Sequence, residues 1–206
     1  MKFLNITLFN SLTIILLTVS LFALSAPSFT QDYKVKKVGK AFSHPWGISV
    51  FDNDEVLITE RGGDLFKVDI ETGSRLKISN LPDVFNVRQG GLLDVLIDKG
   101  SVSERNVYIC YSSKVSGGSS TTLMAGTLKE DKLISKKILF KSNNVSESGV
   151  HFGCRLAILN DEIFMSIGDR GNRYEAQDPN SHDGSVIRVN KYDGSSKGKK
   201  SYNLSL

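Results

Sequence analysis

A histidine beside a glycine-broken turn is the feature of this chain with the clearest chemical potential. His151-Phe152-Gly153 leads directly into an apolar strand that we predict from Leu156 onward. Such a turn holds an imidazole at the edge of a rigid scaffold with open space in front of it. A neutral imidazole can take up a proton near physiological pH, which is the work of a general base. On the residues alone, a histidine that merely caps a turn is the better interpretation.

Acidic residues further along the chain are candidates for bracing or for metal binding. Asp169 and Arg170 follow a predicted strand, and we expect them to brace one sheet against another. Asp178, Asp183 and Asp193 could line a calcium loop, but their spacing does not fit the EF-hand pattern, so turn-forming acids are the better interpretation. No Cys/His grouping has zinc spacing, and we assign no metal ligand in this chain.

The elements that must position these residues are β-strands. After residue 31, short apolar or alternating runs recur between clusters of Gly, Asn and Asp, and helical periodicity is nearly absent. This pattern indicates an all-β protein. The predicted strands are 47–50, 56–60, 65–69, 76–79, 92–97, 107–112, 121–128, 133–140, 156–159, 163–167 and 186–190.

These strands fall into repeating sets that open near Trp46, Leu92 and Arg155. Each set begins with an apolar strand, turns through Asp or Asn and continues into a second apolar strand. Four-stranded sheets arranged radially make a β-propeller, and we predict about two and a half to three such blades. An open sandwich or half-barrel built from the same strands is the weaker alternative.

The first thirty residues are predicted to be a signal peptide. Lys2 precedes an apolar span that carries no charge before Asp32, and small residues follow at Ser25, Ala26 and Ser28. An uncleaved membrane anchor is the alternative, because the span is long enough to cross a bilayer. In either case the folded part, residues 31–206, lies outside the cytoplasm, in the periplasm or secreted.

Charge and cysteine content narrow the range of partners. The net charge is only +4, and the chain has no basic stripe interleaved with aromatic residues, so we do not expect a nucleic-acid partner. Cys110 and Cys154 could pair in an oxidising compartment or remain two separate buried thiols. The sequence also lacks a Gly-rich dinucleotide loop after a strand.

A series of motifs resembles one family, in the same order and at similar intervals. The segments are 42–48, 56–61 with Gly63, 89–95, 107–112, 151–156, 167–171, 176–178, 181–182, 187–190 and 193–195. From about residue 41 to about residue 194 the chain is similar to the soluble, pyrroloquinoline quinone (PQQ)-dependent glucose/sorbosone (aldose sugar) dehydrogenases, which are six-bladed propellers.

This resemblance implies oxidation of an aldose sugar at its anomeric CH–OH to a lactone. PQQ would accept the hydride, calcium would act as a Lewis acid on the quinone, and an external acceptor would remove the electrons. His151 matches the position of the general base. Gln89 matches a position that hydrogen-bonds the quinone, although it could be only a turn residue ahead of Gly90. Arg155 could face the anionic cofactor or pair with a carboxylate such as Asp169, and we expect Trp46 to be core rather than a ligand platform.

The chain also departs from the family pattern. Cys154 stands where many relatives have Gly. The family's His-Arg-Asn segment and its calcium ligands belong to later blades that have no counterpart here, so we expect a truncated or frameshifted copy or an incomplete gene model. Two further functions therefore stay open: a non-catalytic propeller fragment that binds glycans or proteins, and a propeller similar to a sugar lactonase.

Overall fold

β-Strands dominate the computed structural model, which describes residues 33–98 and 105–196. All eleven predicted strands are present; the fifth and eleventh match to the residue, the fourth is shorter than predicted, and the other eight are longer. One short turn of 3₁₀ helix, Glu175–Gln177, also occurs in these ranges. The strands are β1 (Pro45–Val50), β2 (Glu55–Glu60), β3 (Asp64–Asp69), β4 (Arg75–Lys77), β5 (Leu92–Ile97), β6 (Arg105–Val115), β7 (Gly118–Lys129), β8 (Lys132–Lys141), β9 (Gly153–Leu159), β10 (Glu162–Ile167) and β11 (Val186–Asn190).

The strands form three antiparallel sheets in chain order. The first is β1-β2-β3-β4, the second β5-β6-β7-β8, and the third contains β9, β10 and β11. Each sheet is an up-and-down meander of sequential neighbours, so the structure has successive blades and not the two facing sheets of a sandwich. The prediction of propeller blades is confirmed.

Short polar turns allow each meander to reverse direction. At the β3–β4 turn, Asp69 Oδ1 accepts hydrogen bonds from the Thr72 backbone N–H at 2.7 Å and from the Thr72 hydroxyl at 2.8 Å. These bonds lower the pKa of the Asp69 carboxyl, and the bond from the backbone N–H has the larger effect. The carboxylate thus replaces backbone partners that the reversing chain has lost.

The core lies between neighbouring blades. Leu57 and Leu65 of the first sheet pack in one buried cluster with Val95 of the second sheet. Tyr108 of the second sheet packs in another cluster with Met165 of the third. The strand that opens the second sheet, β5, contacts β1 and β2 on one side and β9 on the other. Burying both faces of this strand explains its nearly continuous apolar sequence.

Polar groups also connect the blades. Thr59 of β2 is fully buried, and its hydroxyl accepts from the Gly47 N–H at 2.8 Å while donating to the Leu93 carbonyl at 2.5 Å. One side chain therefore joins β1, β2 and β5. Since a buried hydroxyl without partners costs free energy, this pairing makes a polar residue acceptable in the core.

A disulfide fastens the second sheet to the third. Cys110 of β6 and Cys154 of β9 are both fully buried, their Cα atoms lie 5.5 Å apart, and they are bonded to each other. The alternative of two separate thiols is therefore wrong. Met165 Sδ lies 3.2 Å from Cys110 Sγ, so the bridge is surrounded by the apolar core between the sheets.

The predicted signal peptide, residues 1–30, falls outside the described residues. Residues 1–37 and 38–206 form two units; of the first, residues 33–37 are exposed and belong to no helix or strand. Within the described ranges, no helix is long and apolar enough to cross a membrane.

Candidate active site

His151 stands in the turn that leads into β9, with its side chain 54% exposed. Its backbone is left-handed, with φ at +50°. Gly168, at the end of β10, allows this turn to lie directly against the neighbouring strand, because a Cβ at that position would be 2.0 Å from the His151 carbonyl oxygen. The two glycine-containing turns that the sequence singles out therefore touch, and the imidazole lies open to solvent.

Asp169 orients the imidazole. Its Oδ1 lies 2.6 Å from His151 Nδ1 and accepts a further hydrogen bond from the Gly171 N–H at 2.9 Å. The Gly171 N–H and then the His151 hydrogen bond lower the pKa of the Asp169 carboxyl. An ionised carboxylate can only accept, so a neutral His151 must donate from Nδ1–H and keep its lone pair on Nε2. In this tautomer Nε2 can act as a base.

Gln89 is fixed beside His151 by the backbone. Its Oε1 accepts the His151 N–H at 2.8 Å, and its own N–H donates to the Gly149 carbonyl at 2.9 Å. The amide oxygen is thereby engaged, and within the described residues the amide NH₂ has no hydrogen-bond partner. The exposed NH₂ can donate to a carbonyl oxygen of a bound group without adding charge.

Both residues line one cleft of about 240 Å³ where the first strand of each sheet begins. Two larger clefts, of about 410 and 520 Å³, contain neither His151 nor Gln89, and we place the site by its chemistry rather than by size. The lining combines flat aromatic faces with polar groups, a usual composition for a small-molecule site. The lining residues are Trp46, Arg61, Gln89, Leu93, His151, Phe152 and Gly153.

Arg61 is a site residue that the sequence reasoning did not single out. Its Nη1 donates to the Arg88 carbonyl, next to Gln89, while its Nε–H is buried without a hydrogen-bond partner within the described residues. The available signal was its place at the end of β2, ahead of the Gly62-Gly63 turn. A guanidinium that lines the cleft fits an anionic ligand.

Arg155 pairs with a carboxylate, as one of the two alternatives had it, but the partner is Asp94 and not Asp169. Arg155 Nη1 lies 2.9 Å from Asp94 Oδ1, while Asp94 Oδ2 accepts the Leu156 N–H at 2.8 Å. Burial raises the pKa of the Asp94 carboxyl, with these partners acting in the opposite direction. The Arg155 guanidinium also lies 4.8 Å from the Trp46 ring centroid. Arg155 therefore contacts Trp46, which lines the cleft, but does not line the cleft itself. Direct contact of Arg155 with a cofactor stays a prediction.

Trp46 is both core and cleft wall. It is partly buried against the cluster between the second and third sheets, and it lines the cleft. The prediction of a purely core residue was therefore incomplete.

Arg170 braces the blades as predicted. Its guanidinium is buried, donates to the Ser119 carbonyl at 3.3 Å and to the Ser119 hydroxyl at 3.0 Å, and lies 3.8 Å from the Phe152 ring centroid. Burial lowers its pKa, and the nearby charge of Asp183 opposes this shift. Arg170 thus ties the turn after β10 to β7, next to the residue that follows His151.

The three downstream acids have two different roles. Asp178 and Asp193 accept hydrogen bonds from the N–H groups of Asn180 and Ser195, two residues further on, as turn-forming acids do. Asp183 is instead buried: its Oδ2 accepts from the Asn144 amide, its Oδ1 has no hydrogen-bond partner within the described residues, and burial raises its pKa. The described ranges contain no group of three or more His, Cys, Asp or Glu side chains that could hold a metal ion.

Successive antiparallel blades, with a polar cleft where their first strands begin, define a β-propeller with an enzyme-like site. The family model for glucose / sorbosone dehydrogenase matches residues 42–203. The chain therefore belongs to the glucose / sorbosone dehydrogenase family, a family of sugar dehydrogenases, and the predicted resemblance is confirmed.

Individual relatives agree with this assignment. The aldose sugar dehydrogenase of Escherichia coli (strain K12) is 32% identical over 151 residues, which cover 71% of this chain and 41% of that protein. The crystal structure of the soluble aldose sugar dehydrogenase from Escherichia coli in its apo form is 30% identical with a TM-score of 0.67, covering 72% of this chain and 44% of that one. The PQQ-bound aldose sugar dehydrogenase of Streptomyces coelicolor, at 22% identity, shares the fold with a TM-score of 0.66 over 78% of this chain and 48% of that one. The chain spans less than half the length of these relatives.

Proposed function

We propose that residues 31–206 are the N-terminal part of a propeller dehydrogenase that oxidises the anomeric CH–OH of aldose sugars to lactones, with PQQ as hydride acceptor. Family membership supports the reaction class. The observation that carries the proposal is the arrangement of His151 between Asp169, at 2.6 Å from its Nδ1, and Gln89, at 2.8 Å from its backbone N.

The residues of the cleft fit PQQ, which is a flat, anionic quinone. Arg61 supplies a cation, and Gln89 supplies an NH₂ group for a quinone oxygen. Trp46 and Phe152 supply aromatic faces. When bound, PQQ supplies an electrophilic carbonyl carbon that accepts hydride. The described residues do not present a ligand set for calcium, and we derive no step through that ion.

His151 is the proposed general base. Its Nε2 takes the proton of the anomeric hydroxyl as hydride leaves the same carbon, so the sugar loses one proton and one hydride and becomes a lactone. Asp169 holds the ring in the required tautomer and stabilises the imidazolium that forms. A positioned base of this kind contributes about 10²- to 10⁴-fold in rate. An external acceptor would be needed to remove the electrons.

A location in the periplasm or outside the cell is part of the proposal. The Cys110–Cys154 disulfide supports it, because disulfides persist in oxidising compartments. Residues 1–30 would then act as the signal peptide, and a membrane would be involved only if that segment stayed uncleaved.

Lactone formation by the whole protein tests the proposed function. We expect lactone from aldose sugars only after PQQ has been added together with an artificial electron acceptor. His151→Gln should lower the rate about 10²- to 10⁴-fold. His44→Gln is the matched control, since His44 is an exposed histidine that does not line the cleft. Sugar binding without turnover would indicate the non-catalytic alternative, and metal-dependent hydrolysis of lactones would indicate the lactonase alternative.

A further inference from the structure

The turn that carries His151 has an unusual backbone. Three of its four residues are left-handed: His151 at φ +50°, Gly153 at φ +72° and Cys154 at φ +77°. Glycine adopts this region freely, but a residue with a Cβ is strained there, because the Cβ approaches the following carbonyl oxygen. Such conformations persist at functional sites only where the surrounding structure holds them in place.

A disulfide restrains the strained residue Cys154. Its partner, Cys110, is fully buried in the middle of β6, where its neighbour across the sheet is Leu123. The bridge therefore ties Cys154 to the centre of the second sheet. Because both sulfur atoms lie in the core, the bond acts as a permanent fastening and not as an exposed, reversible switch.

Phe152 and Gly153, which lie between Cys154 and His151, both contact neighbouring strands. A Cβ at Gly153 would be 2.7 Å from the Ser166 carbonyl oxygen, and the Phe152 carbonyl accepts the Thr121 hydroxyl at 3.4 Å. Only these two residues lie between Cys154 and His151, so we expect a rotation of the backbone at Cys154 to be passed on to His151. It would displace the imidazole from Asp169.

We propose that Cys154 is a positioning residue: its disulfide to Cys110 holds the backbone at residue 154 in the left-handed region and so keeps His151 against Asp169. The role in catalysis rests on the proposed function of His151 as the base. The geometric statement concerns this chain alone and can be tested without any turnover.

Two double variants that differ by one methyl group make the test. Cys110→Ala/Cys154→Ala removes the bridge and keeps a Cβ at residue 154, whereas Cys110→Ala/Cys154→Gly removes both. We expect the alanine variant to lose the NMR resonance of the hydrogen-bonded His151 Nδ1–H and about 100-fold in kcat/KM, the usual scale for a misplacement near 1 Å. The glycine variant should keep the resonance and stay within about threefold of wild type, because glycine needs no restraint at positive φ.

A merely structural bridge would behave differently. It would lower thermal stability in both variants and leave the His151 resonance unchanged in both, which would overturn the proposal, as would loss of the resonance in both. Should the alanine variant not fold, Cys110→Ala alone replaces it, since this change removes the bridge while keeping the Cys154 side chain; an unchanged resonance there overturns the proposal equally. If wild type shows the resonance but oxidises no sugar, the proposed function is wrong and the resonance still decides the positioning role.

Discussion

Asp94 joins two blades from a fully buried position, and its removal should destabilise the protein markedly. Asp94→Ala leaves the Leu156 N–H, now bonded at 2.8 Å, buried without an acceptor, at a cost of about 1–3 kcal/mol. The ion pair with Arg155 adds at most about 1 kcal/mol, because that side chain is 63% exposed. We therefore expect a loss of about 1–4 kcal/mol, or roughly 2–16 °C in melting temperature, measured by urea titration and calorimetry.

Two controls separate the hydrogen bond from the charge. Asp94→Asn keeps an oxygen that can accept the Leu156 N–H, and Arg155→Ala removes only the exposed partner. Both should lose about 1 kcal/mol or less. Our reasoning would be refuted by an Asp94→Ala protein within about 0.5 kcal/mol of wild type, or by Arg155→Ala being equally destabilising.

Three further predictions concern the site and its supports. Asp169→Asn should lower kcat about 10²- to 10⁴-fold, because an amide no longer enforces the tautomer of His151; an unchanged kcat in steady-state assays contradicts this. Burial raises the pKa of Asp183 above its usual 3.8, so its contribution to stability is complete below that pH and is lost as the pH rises through the folded-state pKa. We therefore expect the free energy of unfolding, measured from pH 3 to 8, to fall in wild type relative to Asp183→Asn as the pH rises. Parallel curves for the two proteins would contradict this prediction. Removing the Cys110–Cys154 bridge, which closes a loop with a sequence separation of 44, should cost about 4 kcal/mol in chemical unfolding, and a loss below about 1 kcal/mol would contradict the estimate.

The strands could be predicted because their signal is local. Alternation of apolar and polar residues between Gly, Asn and Asp turns located all eleven, and β5 and β11 agree with the prediction to the residue. The bounds of β6 and β7 were missed because both strands contain buried Ser and Thr residues. For example, the Ser113 hydroxyl of β6 donates to the Ser120 carbonyl of β7. From polarity alone, such residues predict a turn.

Partners distant in sequence could not be predicted in the same way. Asp94 lies inside an apolar run and so carries no sign of its contact with Arg155, which is 61 residues away. The pairing of Cys110 with Cys154 and the contact of Asp169 with His151 depend on how the second and third sheets meet. Sequence reasoning identified His151 and Gln89 through a family resemblance, and only the fold shows that one binds the backbone of the other.

Single-turnover reduction of the PQQ-loaded whole protein by an aldose is the most direct test of the central claim, because it needs no external electron acceptor. The account predicts rapid reduction of the bound quinone in wild type, slower reduction with sugar deuterated at C1, and a fall of about 10²- to 10⁴-fold in His151→Gln. Reduction of the quinone at the wild-type rate in His151→Gln would contradict the assignment of His151 as the base.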